Sequence, residues 1–216
     1  MFLTFEGIEG AGKSTIMARM AEQLRGQGLA VRMTREPGAT AFGRELRRLL
    51  LDSRNAHLSV RTELLLFLAD RAQHLQEVIM PALAEGALVL CDRYADSTLA
   101  YQGYGRGMPL DKLAGFIEFA TDGIWPDMTL LLDVPVELGL ARAGERHREE
   151  GTAISEGRFE AERLEFHQRV RAGYLELAEK HPGRYAVVDA AAPTDAVLRQ
   201  ALDLARRRMS ALRPPG

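Results

Sequence analysis

Phe5-Glu6-Gly7-Ile8-Glu9-Gly10-Ala11-Gly12-Lys13-Ser14-Thr15 decides the fold of this chain. It matches G-x-x-x-x-G-K-[ST], with Gly7, Gly12, Lys13 and Ser14 at the fixed positions. The spacing has a physical basis. Glycines let successive backbone N–H groups curl round a phosphate with no Cβ in the way. Lys13 is placed to reach the β- and γ-phosphates, and Ser14 to put a hydroxyl on Mg²⁺. The helix that follows aims its positive end at the same anion. The context agrees: Phe2-Leu3-Thr4-Phe5 reads as a short strand, and Ser14 to Gln27 as a helix.

Outward from this loop, strand and helix patterns alternate, which argues for an α/β fold with a parallel sheet. Leu29 to Thr34 reads as the second strand, followed by an Arg35-Glu36-Pro37-Gly38 turn and a helix from Phe42 to Leu51. Arg61 to Glu85 reads as one long helix, its apolar face running through Leu64, Leu65, Phe67, Leu68, Leu75 and Val78. Ala87 to Cys91 is a continuous apolar run, as a strand buried on both faces should be. Asp111 to Asp122 reads as a helix, Met128 to Leu132 as a strand and Glu137 to Arg148 as a helix. A polar, Gly-punctuated stretch from Gly144 to Gly157 follows, then a helix from Phe159 to Lys180. Tyr185 to Val188 is the last strand, Thr194 to Leu212 the last helix with Thr194 as its N-cap, and Arg213 to Gly216 a frayed tail. The expectation is one domain over residues 1–216, a P-loop NTPase-type three-layer α/β/α fold with a five-stranded parallel sheet. The loops after Phe5, Thr34, Cys91 and Leu132 should meet in one crevice at the carboxyl ends of the strands.

Composition narrows the function. The chain has 216 residues, 46% hydrophobic and 27% charged, with a net charge of −2. That balance offers no global field for nucleic acid or a membrane surface, so any polyanion site must be local. The single cysteine, Cys91, excludes an intrachain disulfide and fits a reducing, cytoplasmic setting. The N-terminus runs directly into the first strand, which argues against a signal peptide. No run of about 20 apolar residues exists, as a membrane span requires.

Two runs have the form of an apolar strand ending in aspartate: Leu88-Val89-Leu90-Cys91-Asp92 and Leu130-Leu131-Leu132-Asp133. Asp92 is followed at once by Arg93. A carboxylate beside a guanidinium at a strand end can hold both metal-bound water and a phosphate. Asp92, with Ser14, is therefore the expected Mg²⁺ pair, partly through water. Asp133 reads more readily as a structural cap or ion pair.

Asp92-Arg93-Tyr94-Ala95-Asp96-Ser97-Thr98-Leu99-Ala100-Tyr101-Gln102-Gly103 resembles the D-R-[YFH]-x-x-S-x-x-A-Y-Q-G signature of thymidylate kinases. Thr34-Arg35-Glu36-Pro37-Gly38 resembles the T-R-E-P-G turn of the bacterial members, and Phe67-Leu68-Ala69-Asp70-Arg71 their F-x-A-x-R segment. Gly105-Arg106-Gly107 and Trp125-Pro126-Asp127-Met128-Thr129 also fit. The resemblance spans Phe2 to about Ala190, and the ordered set of motifs is far more specific than any one of them.

The resemblance implies an ATP-dependent dTMP kinase that makes dTDP for dTTP synthesis with Mg²⁺ as cofactor. ATP would sit on Gly7, Ile8, Glu9, Gly10, Ala11, Gly12, Lys13, Ser14 and Thr15. Phe67 would stack on thymine and Arg71 would bond its polar edge, although Phe67 alone reads as core. Arg93 would hold the dTMP phosphate with help from Glu36 and Pro37. Ser97 and Gln102 would line the base and sugar site, and Tyr101 would fill the place of a ribose 2′-hydroxyl. Glu9 matches the family's acidic loop position, which contacts the acceptor sugar or metal water.

The loop's variable positions, Ile8, Glu9, Gly10 and Ala11, carry no arginine. In the family, a short lid then supplies the catalytic charge. The lid candidate is Gly144 to Gly157, and Arg146, Arg148 and Arg158 are the candidate catalytic arginines beside Lys13 and Arg93. The family's D-R-[FI]-E ending stands here as Gly157-Arg158-Phe159-Glu160, without its aspartate. The family is usually a homodimer, and the Arg61–Glu85 helix is a plausible contributor to the interface. Other readings fit less well. A GTPase switch needs N-K-x-D, which is absent, and a nucleic-acid-dependent ATPase needs a basic, aromatic patch. Another nucleoside monophosphate kinase would differ only at Phe67, Arg71, Ser97 and Tyr101.

Overall fold

The computed structural model describes residues 1–212 of the chain; the tail from Arg213 lies outside them. Five strands form one all-parallel sheet: β1 Phe2–Glu6, β2 Val31–Arg35, β3 Leu88–Asp92, β4 Met128–Asp133 and β5 Tyr185–Asp189. Their order is β2-β3-β1-β4-β5. The three apolar runs β3, β1 and β4 take the centre, where both faces are covered. The more polar β2 and β5 take the edges.

Side chains alternate across the sheet, as strand geometry requires. Leu3, Phe5, Leu88 and Leu90 pack in a core with α1 (Lys13–Gly26), α9 (Leu164–Lys180) and α10 (Thr194–Leu212). Phe2, Val89 and Cys91 face the other way, against α3 (Val60–His74), α4 (Met80–Ala84) and α6 (Leu110–Thr121). The register sets Phe5 beside Asp92 on one flank and Leu130 on the other. The chain leaves β1 toward β2 and β3, then crosses over to β4 and β5. The crevice at that switch point is where the loop after β1 opens. Among the described residues, no helix is long and apolar enough to cross a membrane.

Several elements differ from the sequence reading. The expected helix Arg61–Glu85 is α3, a π-helical stretch Leu75–Ile79, and α4. Pro81 has no N–H, and its ring would collide with the carbonyl four residues back; the widened turns before it absorb this. A short α5 (Ala95–Thr98) and a π-helical stretch Leu99–Gly105 fill the segment after Arg93. The Gly-punctuated lid is largely helical: α7 (Val136–Glu150) runs on through it, and α8 (Ala153–Glu156) follows. Glu145, Arg146, Arg148, Glu149 and Glu150 are strong helix formers, and their sum outweighs Gly144, the lid glycine inside α7. Gly151, at φ 67°, ends α7. Helix α9 starts at Leu164 rather than Phe159. Thr194 lies inside α10, whose first N–H groups, from Ala196 and Val197, bond to the Pro193 carbonyl.

Candidate active site

The loop after β1 is shaped by close approach. Gly7 and Gly10 have φ of 135° and 68°, a region that side chains rarely enter. A Cβ on Gly7 would strike the Leu132 carbonyl oxygen, and one on Gly10 the Gly139 carbonyl oxygen. The loop is thus pressed onto β4 and α7. Lys13 opens α1 with its ammonium folded into the loop, donating to the carbonyls of Gly7 at 3.0 Å and Ile8 at 2.8 Å. Burial, helped by the nearby Arg93, pushes its pKa down to about 8. A bound polyphosphate reverses that trend by favouring the charged form. The first N–H groups of α1 have no partner within the helix and point the same way. Ser14 Oγ donates to Asp92 Oδ2 at 2.5 Å, which joins α1 to the end of β3.

Arg93 is the hub of the opposite wall. Its φ is 70°, a left-handed conformation uncommon outside glycine. The turn is pinned by its own N–H, which donates to the Phe5 carbonyl at 3.0 Å. One guanidinium nitrogen donates to Glu9 Oε1 at 3.0 Å and to the Tyr101 hydroxyl at 2.9 Å. The other donates to Ser97 Oγ at 3.3 Å and to the Tyr174 hydroxyl at 3.2 Å. Tyr101 also donates to Glu9 at 2.5 Å. Burial opposes a charge on Glu9, but His167, Arg93 and Lys13 outweigh it and hold the carboxyl far below the usual range. His167 Nδ1 stands 3.4 Å from Glu9 Oε2, an electrostatic contact longer than a normal hydrogen bond. Behind Arg93, the last residue of β1, Glu6, is fully buried. Its Oε1 accepts the Tyr94 N–H at 2.8 Å, and its Oε2 accepts the Ser97 and Tyr174 hydroxyls at 2.6 and 2.7 Å. Burial and the neighbouring Asp96 push its pKa up to about 7.

The apolar end of the site is built by Phe67 from α3 and Phe159, their ring centroids 6.0 Å apart. Tyr101 meets Phe159 edge-on at 5.6 Å. Beneath them, Arg71 is buried and spends its guanidinium on Glu36 (2.8 Å), Thr98 (2.7 Å) and the Tyr94 carbonyl (2.9 Å). Glu36 also bonds His74 Nδ1 at 2.9 Å, and Asp70 Oδ1 accepts the Gly38 N–H at 3.1 Å. Burial and Glu36 push the pKa of Asp70 up to about 7. This frame fixes the turn at the cis Glu36–Pro37 peptide. A single cleft of about 480 Å³ joins these parts; Lys13, Ser14, Arg93, Phe67, Gln102 and Arg146 all line it.

The thymidylate kinase family model matches residues 5–201. The chain belongs to the thymidylate kinase family. It is 58% identical to the thymidylate kinase of Desulfovibrio desulfuricans over 200 residues, 93% of this chain and 92% of the relative. It is 56% identical to that of Solidesulfovibrio magneticus over 197 residues, 91% and 94% of the two chains. The crystal structure of thymidylate kinase from Ehrlichia chaffeensis superposes with a TM-score of 0.75 at 32% identity, covering 95% of this chain and 98% of that one. The chain is accordingly a phosphotransferase with the α/β fold of that family.

In this thymidylate kinase family member, the expected site residues fall into groups. Glu9, Gly10, Gly12, Lys13, Ser14, Thr15, Asp92 and Arg93 line the cleft together with Glu36, Pro37, Phe67, Arg71, Ser97, Tyr101 and Gln102. Gly7, Ile8 and Ala11 do not line it; their side of the loop faces β4 and the core. Ser97 bridges Glu6 and Arg93, so its hydroxyl is engaged inside the wall. Gln102 donates to Glu63 at 2.9 Å.

The three lid arginines part company. Arg146 is half-exposed and lines the cleft, with Glu160 at 3.8 Å. Arg148 points out and bonds the Gly144 carbonyl at 3.3 Å. Arg158 is buried, 2.7 Å from Glu63 and 3.1 Å from the Leu50 carbonyl, so it ties the lid to the body and does not reach the cleft. Asp133 is taken by Arg171 at 2.7 and 2.8 Å, a structural pair. Sequence reasoning missed Glu6, Tyr174 and His167, and also Arg47. Arg47 clasps Glu156 of α8 at 2.7 Å and the Pro37 carbonyl at 3.1 Å. Only Arg47 carried a usable signal, as a basic residue one helix beyond the Glu36–Pro37 turn.

Proposed function

We propose that this chain transfers the γ-phosphoryl group of ATP in line to dTMP, giving ADP and dTDP. The observation that carries this reading is a single cleft with the P-loop Lys13 on one wall and the Glu9-anchored Arg93 on the other. A phosphate oxygen of dTMP attacks the γ-phosphorus while the bond to the β-bridging oxygen of ATP breaks. The attacking oxygen is already anionic, so no strong general base is required; positioning and charge are the needs.

The residues present supply both. Lys13 and the loop N–H groups hold the β- and γ-phosphates. Arg93 holds the acceptor phosphate as a planar fork. Phe67, packed against Phe159, offers its ring to stack on thymine, with Gln102 at the edge of the base. Arg71 acts through Glu36 and Thr98, framing the pocket. Arg146 is the lid residue that meets the transferred group, because Arg158 is committed to Glu63 and Arg148 points outward. Ser14 and Asp92 form a hard oxygen pair beside the P-loop that suits Mg²⁺, which prefers one or two protein ligands with substrate phosphates. When bound, the ion neutralises charge on the β- and γ-oxygens. A cytoplasmic setting agrees with the single, buried thiol of Cys91.

The direct test is chromatographic detection of dTDP from ATP and dTMP. Turnover should be lost in excess EDTA and restored by excess Mg²⁺; EDTA-resistant turnover would remove Mg²⁺ from this account. Tyr101, whose hydroxyl is held by Glu9 and Arg93, is the proposed wall against a ribose 2′-hydroxyl. Tyr101→Ala should narrow the preference for dTMP over its ribose counterpart by at least roughly 10-fold in kcat/KM; an unchanged ratio would discard the wall.

Exposed large apolar side chains gather on three neighbouring helices: Phe42 and Leu49 on α2 (Ala41–Leu51), Leu65 on α3, and Phe116 and Phe119 on α6. Helix α2 packs on α3, and α3 on α6. Phe119 is 89% exposed, an unusual exposure for an aromatic side chain. This face is the proposed homodimer interface. Phe119→Asp should shift sedimentation from dimer to monomer; a dimer unchanged at micromolar concentration would relocate the interface.

A further inference from the structure

We propose that Glu6 is a positioning residue for the acceptor phosphate: acting through the Ser97 and Tyr174 hydroxyls, it aims the Arg93 guanidinium. The inference rests on the reading above that Arg93 holds the phosphate of dTMP.

The bonding pattern has one direction. A hydroxyl has one hydrogen and two lone pairs. With Glu6 ionised its Oε2 can only accept, so Ser97 and Tyr174, whose hydroxyl oxygens stand 2.9 Å apart, each turn that hydrogen to it at 2.6 and 2.7 Å. Their lone pairs are thereby left for Arg93, whose Nη1 donates to both at 3.3 and 3.2 Å. Glu6 itself cannot swing, because Oε1 accepts the Tyr94 N–H at 2.8 Å. Arg93 is thus gripped from two sides, through the relay on Nη1 and directly by Glu9 and Tyr101 on Nη2.

The position of Glu6 is otherwise hard to account for. It ends the central strand, with no exposure to solvent. A buried carboxylate is costly unless it is fully used. Two other cations nearby are already paired, Arg184 with Asp96 at 2.6 and 2.8 Å and Arg71 with Glu36 at 2.8 Å, and Lys13 turns its ammonium to the Gly7 and Ile8 carbonyls. Among the described residues, no lysine or arginine forms an ion pair with Glu6. What remains for it is the pair of hydroxyls that face Arg93.

Calorimetric titration of dTMP and thymidine separates this role from a merely structural one, since thymidine lacks the phosphate. In Glu6→Gln the amide keeps an acceptor for the Tyr94 N–H but turns a donor toward the two hydroxyls, which reverses the relay. Affinity for dTMP should fall roughly 10-fold, while that for thymidine stays within about twofold. Tyr174→Phe removes one bridge and should weaken dTMP roughly 3-fold with thymidine again unmoved; it carries the test if Glu6→Gln does not fold. Equal losses for both ligands, or no loss for dTMP, would overturn the proposal. Arg93→Ala is the control. If it leaves the dTMP-to-thymidine ratio unchanged, the assignment of Arg93 to the phosphate fails, and the Glu6 inference with it. If Arg93→Ala collapses the ratio and the other two variants do not, only the Glu6 inference fails.

Discussion

Arg93→Ala is expected to lower kcat/KM for dTMP by roughly 10³- to 10⁵-fold, the range found when an arginine is removed from a phosphoryl-transfer site. Affinity for ATP should stay nearly unchanged. The reason is geometric. Arg93 adopts a left-handed backbone and makes four side-chain hydrogen bonds to hold one guanidinium in the cleft. Strain of this kind persists only where the surroundings enforce it, and it collects at functional sites. Truncation also leaves the buried Glu9 without its nearest cation, so charge inside the cleft changes from balanced to repulsive toward phosphate. Lysine should rescue little, because a point charge cannot serve Glu9, two tyrosines and a phosphate at once. Steady-state kinetics with varied dTMP, and fluorescence titration with an ATP analogue, check both halves. A variant with normal turnover would remove Arg93 from the acceptor site.

The second large effect concerns the lid. Arg146→Ala should reduce kcat by roughly 10²- to 10³-fold, as for loss of one donor that stabilises developing charge. Arg148→Ala should leave kcat within about twofold, since an exposed side chain bonded to its own helix contributes little. Arg158→Ala should behave differently again. Its guanidinium is one of the donors to Glu63, which has no exposure of its own. Losing one partner of a buried pair costs about 3–5 kcal/mol, an upper value here because Arg106 and Gln102 still reach Glu63. The signature is therefore a fall in Tm for Arg158→Ala and a fall in kcat for Arg146→Ala. Thermal melts and kinetics on the three variants together read it. A kcat loss confined to Arg158→Ala would reassign the lid charge.

What could be read from the sequence depended on how local each requirement was. The P-loop was legible because its fixed glycines answer a backbone need within eight residues: Gly7 and Gly12 both take a positive φ, 135° and 84°. The three central strands were legible because β1, β3 and β4 are mostly apolar runs between turn residues. Asp92-Arg93 was legible as a strand end carrying opposite charges.

Contacts made across long sequence distances were not legible. Arg158 looked like any lid arginine until Glu63, 95 residues earlier, took it. Arg71 looked wholly free to read a base, yet it also bonds Glu36, Thr98 and the Tyr94 carbonyl, which use three of its five N–H groups at the cleft it lines. Ser97 reads from sequence as lining the base and sugar site; it lines the cleft, and its bonds to Glu6 and Arg93 were not legible. Glu6 itself reads as one more residue of the loop motif, and its partner Tyr174 lies 168 residues away. The helical lid was hidden by its glycines, although the charged residues between them favour helix.

The central claim is that one cleft binds ATP on the P-loop and a thymine deoxynucleotide at Arg93 and Phe67. The most direct measurement is ADP release with ATP and Mg²⁺ across a panel of nucleoside monophosphates, scored as kcat/KM. This account expects dTMP to lead the panel, with ribonucleotides and purines lower by at least roughly 100-fold. Equal turnover across the panel, or a purine or ribonucleotide ahead of dTMP, would contradict it.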